Sequence, residues 1–268
     1  MKIAFIGAGV MAEAIISGLI SKGSARPEDI TASDISEIRL TELAKRHGIE
    51  CVADNLKSIK GKDIVVFCVK PQVFNVVADD LHGRLESEQL ALSIMAGIKI
   101  DTINMLLGHH SIVRVMPNTP AQIGEGISVW TATDTVSRAQ RDMVQSILEA
   151  LGKEIYLDSE KYVDMATAVS GSGPAYVFMI IESFIDAAVH IGLPRDTASE
   201  LVMQTMLGSL LYARASGRHL GELRDMVTSP GGTTAEGLLK LEDGGLRAVI
   251  IQAVVAAYEK AQKLGREH

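Results

Sequence analysis

The chain has 268 residues, is 47% hydrophobic and carries a net charge of −7. That is enough apolar material for one large core or two modest ones, and the acidic balance excludes a general basic surface for nucleic acid. Only two cysteines occur, Cys51 and Cys68, which excludes a disulfide framework and points to a reducing compartment.

The chain starts directly with the strand-like M-K-I-A-F-I-G, without a secretory layout. Residues 2–6 read as a strand, 10–22 as a helix, 29–33 as a strand, 37–47 as a helix and 50–52 as a short strand. The apolar run D-I-V-V-F-C-V predicts a buried strand over 63–69 that includes Cys68, followed by a helix over 71–84 and a strand over 89–95. A helix over 100–107, strands over 111–116 and 127–131, a helix over 137–151 and a strand over 153–157 close the series. Alternation of this kind predicts an α/β, doubly wound parallel sheet of the Rossmann type in residues 1–159.

From residue 160 to 268 the character is helical. Stretch 174–191 is apolar on nearly all sides, and 195–215 and 246–264 are two further long helical patterns, together more apolar helix than so small a bundle can hide. An all-α domain that buries them against a second copy of the chain is expected. Every long apolar stretch is broken by polar residues, so no membrane span is expected, and the cytoplasm is the expected location. Glu182, Asp186 and His190 form a polar stripe at i, i+4 and i+8. It reads as a hydrogen-bonded stripe within the bundle or dimer contact rather than a metal site, and no metal is expected.

The first strand runs into Gly7-Ala8-Gly9-Val10-Met11-Ala12, a G-x-G-x-x-A turn. Here Gly7 permits the turn, Gly9 admits a pyrophosphate to the backbone and Ala12 packs the helix on the strand. Ile6, Gly7, Ala8, Gly9, Val10 and Met11 are therefore expected to hold a dinucleotide, NADPH or NADH. At the end of the second strand, Asp34 suits ribose hydroxyls, whereas Ser33, Ser36 and Arg39 suit a 2′-phosphate. Asp34 also reads as a turn or cap residue. Val69, Lys70 and Pro71, then Ala96 and Gly97, then Asn118 in M-P-N-T-P, follow later strands, where ligands of open sheets bind. Asn118 suits the nicotinamide carboxamide.

Two loops in the helical half concentrate small and hydroxylated residues: S-G-S-G-P-A-Y at 170–176, and L-R-D-M-V-T-S-P-G-G-T-T at 223–234. Gly231 and Gly232 ahead of a helical run offer free N–H donors suited to a carboxylate. Alternatively, Thr233 or Thr234 caps that helix in a capping box with Glu236.

With F-I-G-A-G-V-M-A-E-A-I-I-S-G-L, C-V-K-P-Q, M-A-G-I, R-V-M-P-N-T-P and L-E-D-G-G-L-R, these motifs resemble the Δ1-pyrroline-5-carboxylate reductase family along the whole chain. The resemblance implies an oxidoreductase of proline biosynthesis that reduces the C=N bond of 1-pyrroline-5-carboxylate with NAD(P)H. It also implies a helical dimerisation domain, homodimers or rings of five dimers, and an active site that includes elements of the partner subunit. By motif, Ser229, Gly231, Gly232 and Thr233 hold the substrate carboxylate, Thr234 stands by the ring nitrogen as the catalytic hydroxyl, and Asn55 lies near the adenosine ribose. The acid at Asp34 puts the family's usual NADPH preference in doubt.

The related β-hydroxyacid dehydrogenases use a lysine in the helical domain. No lysine lies between Lys161 and Lys240, so that chemistry lacks its base. A non-catalytic dinucleotide sensor would have no use for the S-P-G-G-T-T loop.

Overall fold

A computed structural model describes residues 1–267, the side chains of Arg266 and Glu267 excepted; the expected domain end at His268 lies outside them. The chain forms two compact units. One comprises residues 1–172 with the chain from Ala257 onward, the other residues 173–256.

The first unit is built on eight strands: β1 (Ile3–Ile6), β2 (Ile30–Ser33), β3 (Glu50–Val52), β4 (Ile64–Phe67), β5 (Leu90–Ser93), β6 (Ile112–Met116), β7 (Gly126–Ala132) and β8 (Gly152–Tyr156). They lie in the order β3-β2-β1-β4-β5-β6-β7-β8. Ile3 is level with Ile30 on one side and Ile64 on the other. The order therefore reverses at β1 and opens a crevice at the carboxyl ends of β1 and β4, where open α/β sheets bind ligands.

β1, β4 and β5 are buried along their full length, as strands covered on both faces must be. Helices α1 (Val10–Ser21), α2 (Glu37–His47) and, later in the chain, Arg138–Glu149 cover one face, where Ile15, Ile16, Leu19, Leu43, Val144 and Ile147 meet Ile3 and Phe5. The other face is covered after the short α3 (Asn55–Ser58) by α4 (Phe74–Leu81) and α5 (Ile100–Leu107), whose Phe74, Ala78, Leu81, Ile103 and Leu107 pack on Ala4, Ile6, Val65 and Phe67. Each such fully buried Val, Leu, Ile or Phe side chain contributes about 1.5–3 kcal/mol relative to exposure. The Arg138–Glu149 helix, α6, starts with a capping box between Ser137 and Gln140.

Three details differ from the expectations. β7 runs antiparallel to β6, Val115 facing Trp130, because the link from Met116 to Gly126 holds only a 3₁₀ turn, Thr119–Ile123. A parallel return needs about a dozen residues of crossover. The helix expected over 71–84 is a 3₁₀ turn, Pro71–Val73, followed by the shorter α4, whose C-cap His82 is non-helical and precedes Gly83 at φ 65°. The first unit also extends past residue 159. There α7 (Lys161–Ala166) and a π-helical turn, Thr167–Gly171, continue it, with α7 packed against β6 and β7.

The second unit contains α8 (Gly173–His190), α9 (Arg195–Ser216), α10 (Leu220–Met226), α11 (Thr233–Asp243) and the first part of α12 (Leu246–Glu267). No residue of α8, α10 or α11 is buried, while Phe178, Met179, Leu207, Leu211 and Ile251 are more than half exposed. An apolar face this large marks an interaction surface. The helical run Lys161–His190 is long and apolar enough by composition to cross a membrane. Asp186 of the polar stripe pairs with Arg195 at 2.8 Å, and among the described residues no group of three His, Cys, Asp or Glu side chains gathers as a metal site.

Candidate functional site

The turn after β1 is shaped by close approach. Gly7 has φ 94°, and a Cβ there would stand 2.9 Å from Val69 Cγ1 and 3.0 Å from the Cys68 carbonyl carbon. Only glycine combines that backbone with that contact. Gly9 is the N-cap of α1, and no side chain caps the helix. A Cβ on Gly9 would meet nothing within 4 Å. The result is a bare backbone surface at a helix N-terminus, open on its outer side, and it fits a pyrophosphate. Ile6 and Ala8 are buried and offer backbone only, whereas Val10 is 64% exposed beside the turn.

Met11, Val69, Lys70, Pro71, Ala96 and Asn118 line one cavity of about 430 Å³ at this edge of the sheet. The Asn118 Oδ1 accepts from the Ile127 amide at 2.9 Å, which pins the loop to β7; its Nδ2 makes no hydrogen bond among the described residues. Gly97 is buried next to Ala96, and a Cβ on it would stand 2.9 Å from Leu264 Cβ, so its bare α-carbon seats the C-terminal helix. Cys68 is a correction: it lies just past β4, half-buried and on the cavity wall. Burial pushes its thiol well above the usual range.

At the end of β2, Ser33 is fully buried, and its hydroxyl donates to Asn55 Oδ1 at 2.8 Å. Ser33 therefore braces the sheet and is not open to a ligand. Asn55 Nδ2 donates to Asp80 at 3.2 Å, so both ends of the Asn55 amide are engaged. Asp34 accepts from the amides of Ala8 at 2.8 Å and Ser36 at 2.9 Å, tying the glycine turn to β2, while the cap of α2 is Ser36. Arg39 Nε donates to the Ala8 carbonyl at 2.7 Å, and its guanidinium is paired with Glu13 and Glu42. Arg46 and His47 also converge on Glu13. Burial alone would raise the Glu13 carboxyl, but hydrogen bonds from Arg39, His47 and Arg46 outweigh it and hold the group at about 2.

Thr167, Gly171 and Ser172 complete the cavity wall and were missed as site residues. They belong to the π turn and its end; a Cβ on Gly171 would lie 3.3 Å from Met116 Sδ. Such turns recur at functional sites. This one is anchored from below. Arg114 on β6, fully buried, donates to Glu160 at 2.8 Å and Asp164 at 2.7 Å, and Glu160 also accepts from the Ile100 amide at 2.8 Å. The small residues of S-G-S-G were the available signal; nothing in the sequence separates Arg114 from a surface arginine.

In the second unit, Ser229, Gly231, Gly232, Thr233 and Thr234 come together in the loop that opens α11. Gly231 has φ 69°, and the Gly232 amide donates to the Ser229 carbonyl at 3.0 Å. The N-cap is Gly232, without a side-chain cap. The alternative of a cap by Thr233 or Thr234 does not hold, since both are already helical. A Cβ on Gly232 would stand 2.4 Å from Ser229 Oγ and 3.2 Å from the Ser229 carbonyl oxygen, so a larger residue there would turn the Ser229 hydroxyl out of its place. Its helix-start N–H groups carry no internal side-chain acceptor, as an anion site requires.

The family model for pyrroline-5-carboxylate reductase dimerisation matches residues 160–264, and that for coenzyme F420-dependent NADP oxidoreductases matches residues 2–97. The pyrroline-5-carboxylate reductase of Pseudomonas aeruginosa is 40% identical, over 99% of this chain and 97% of the relative. That of Methanosarcina acetivorans is 39% identical, over 99% and 98%. The crystal structure of Plasmodium falciparum pyrroline carboxylate reductase with NADP bound superposes with a TM-score of 0.91 at 33% identity, covering 99% of this chain and 98% of that one.

Proposed function

Because this chain belongs to the pyrroline-5-carboxylate reductase family, we propose that it reduces the C=N bond of 1-pyrroline-5-carboxylate to give L-proline, as an NAD(P)H-dependent oxidoreductase of amino-acid biosynthesis. The observation that carries this reading is the match over 99% of the chain, at 39–40% identity, to pyrroline-5-carboxylate reductases. The chain self-associates through its dimerisation region, residues 160–264, which gives the exposed apolar helices of the second unit their cover.

When bound, the reduced dinucleotide supplies a hydride. The residues of the chain supply position. Gly7 to Met11 and the start of α1 receive the pyrophosphate, Asp34 faces the ribose, and Val69, Lys70, Pro71, Ala96 and Asn118 flank the nicotinamide end. Ser229, Gly231, Gly232 and Thr233 grip the carboxylate of the imino acid. A pyrroline nitrogen is basic enough to arrive protonated, so Thr234 orients it by a hydrogen bond or relays a proton from water; a threonine hydroxyl is too weak an acid to do more. Holding the reacting atoms in register in a dry cleft is the larger part of the rate enhancement. We place the enzyme in the cytoplasm, in keeping with two free cysteines, as a homodimer or a ring of five dimers.

The test is the fall in NAD(P)H absorbance when purified protein meets 1-pyrroline-5-carboxylate, with proline as product. A protein that binds the dinucleotide yet leaves the absorbance unchanged under saturating imine overturns the reading.

A further inference from the structure

On the reading that the cleft takes a reduced nicotinamide dinucleotide, we propose that the end of β2 makes this chain select NADH over NADPH. Asp34 is the specificity-determining residue, and Glu13 is a positioning residue that withholds Arg39 from a 2′-phosphate.

The two cofactors differ only in that phosphate, which sits on the adenosine ribose beside the end of the second strand. A protein that takes it needs cationic or hydroxyl donors there. The sequence supplies three near that point, and two are withdrawn. The Ser33 hydroxyl is fully buried and bonded to Asn55. The Arg39 guanidinium is held on three sides, by the Ala8 carbonyl, Glu13 and Glu42. Glu13 is held ionised across the working pH range, so the charge of Arg39 is neutralised locally. Only Ser36 keeps an exposed hydroxyl, and one neutral donor does not offset a dianion.

Asp34 is the opposite kind of neighbour. Its carboxylate is fixed between the Ala8 and Ser36 amides, and it retains lone pairs for ribose hydroxyls. A phosphate at the same place meets a fixed like charge, and Arg39 has only two of its five N–H donors left to offer it, its charge already shared with Glu13 and Glu42. Ile35, fully exposed next to Asp34, and Ile38, 75% exposed, offer apolar contact to an adenine that both cofactors share, so the discrimination falls on the ribose.

Calorimetric binding of NADH, NADPH, ADP-ribose and its 2′-phosphate to the full-length protein tests this, alongside kcat/KM with each reduced cofactor. NADH and ADP-ribose should bind roughly tenfold tighter or more than their phosphorylated counterparts. In Asp34→Ser that ratio should fall to about one or invert. Asp34 also braces the glycine turn, so Glu13→Gln serves as the second variant: it should tighten the phosphorylated ligands relative to ADP-ribose, with cooperative thermal unfolding as the check on its fold. Equal or tighter binding of the phosphorylated ligands by the unaltered protein overturns the preference. An NADH preference that neither variant moves overturns the assignment to these residues. Absence of imine reduction with either cofactor, with the binding ratio intact, strikes the proposed reaction and leaves this inference standing.

Discussion

Arg114 Nη2 donates to Asp164 Oδ1 at 2.7 Å, from the middle of β6 to the helix that leads into the π turn on the cavity wall. Both partners are buried. Removing one partner of such a pair leaves a charge without water or counter-ion, a loss of about 3–5 kcal/mol. Arg114→Met should lower stability by that order in urea unfolding. Cofactor affinity should fall as well, because Thr167 and Gly171 lose their support; unchanged unfolding would show the pair to be dispensable.

Gly7→Ala places a methyl 2.9 Å from Val69 on a backbone with φ 94°. The β1 and β4 loops must part to admit it. Dinucleotide affinity should drop by roughly tenfold or more, equivalent to at least about 1.4 kcal/mol. Titration of cofactor into the variant is the measurement, and native-like affinity would contradict the close-approach argument.

Thr234→Ala should slow turnover by at most about 10²-fold if the hydroxyl orients or relays, and Thr234→Ser should retain most of it. Gly232→Ala acts differently. A Cβ 2.4 Å from Ser229 Oγ displaces the carboxylate donors, so KM for the imino acid should rise more than kcat falls. Steady-state kinetics separate the two patterns.

The Glu13 knot has a pH signature. Its folded pKa, about 2, lies below the unfolded value of about 4.3. Between those values the unfolded chain binds the extra proton, so the contribution is complete above about pH 4.3 and is lost as pH falls toward 2. Acid titration of stability should show this loss, about 3 kcal/mol at most, and Glu13→Gln should flatten it. A curve identical in the variant would remove Glu13 as its source.

Much of the first unit was legible because its signals are local. The apolar runs at Ile3–Ile6, Ile64–Phe67 and Leu90–Ser93 are buried on both faces, so composition alone marks them, and the G-x-G-x-x-A turn follows immediately. What the sequence hid is relational. The direction of β7 depends on the reach of the Met116–Gly126 link. The burial of Ser33 depends on Asn55, 22 positions away. The close packing of Gly97 depends on Leu264, from the far end of the chain. The π turn left no periodic trace, since one wide turn perturbs a helical pattern too little to read. The fivefold convergence of Ser229, Gly231, Gly232, Thr233 and Thr234 was readable because those residues are contiguous. Its cap stayed open between two readings because glycine, the actual cap, carries no side-chain signature.

Cys68 stands on the cavity wall with its thiol kept protonated by burial. Electrophilic reagents react with thiolates, so warheads aimed at this sulfur will find a poor nucleophile. Inhibitors of the cleft gain more from matching the shape of its wall and the amide face of Asn118 than from a bond to this sulfur.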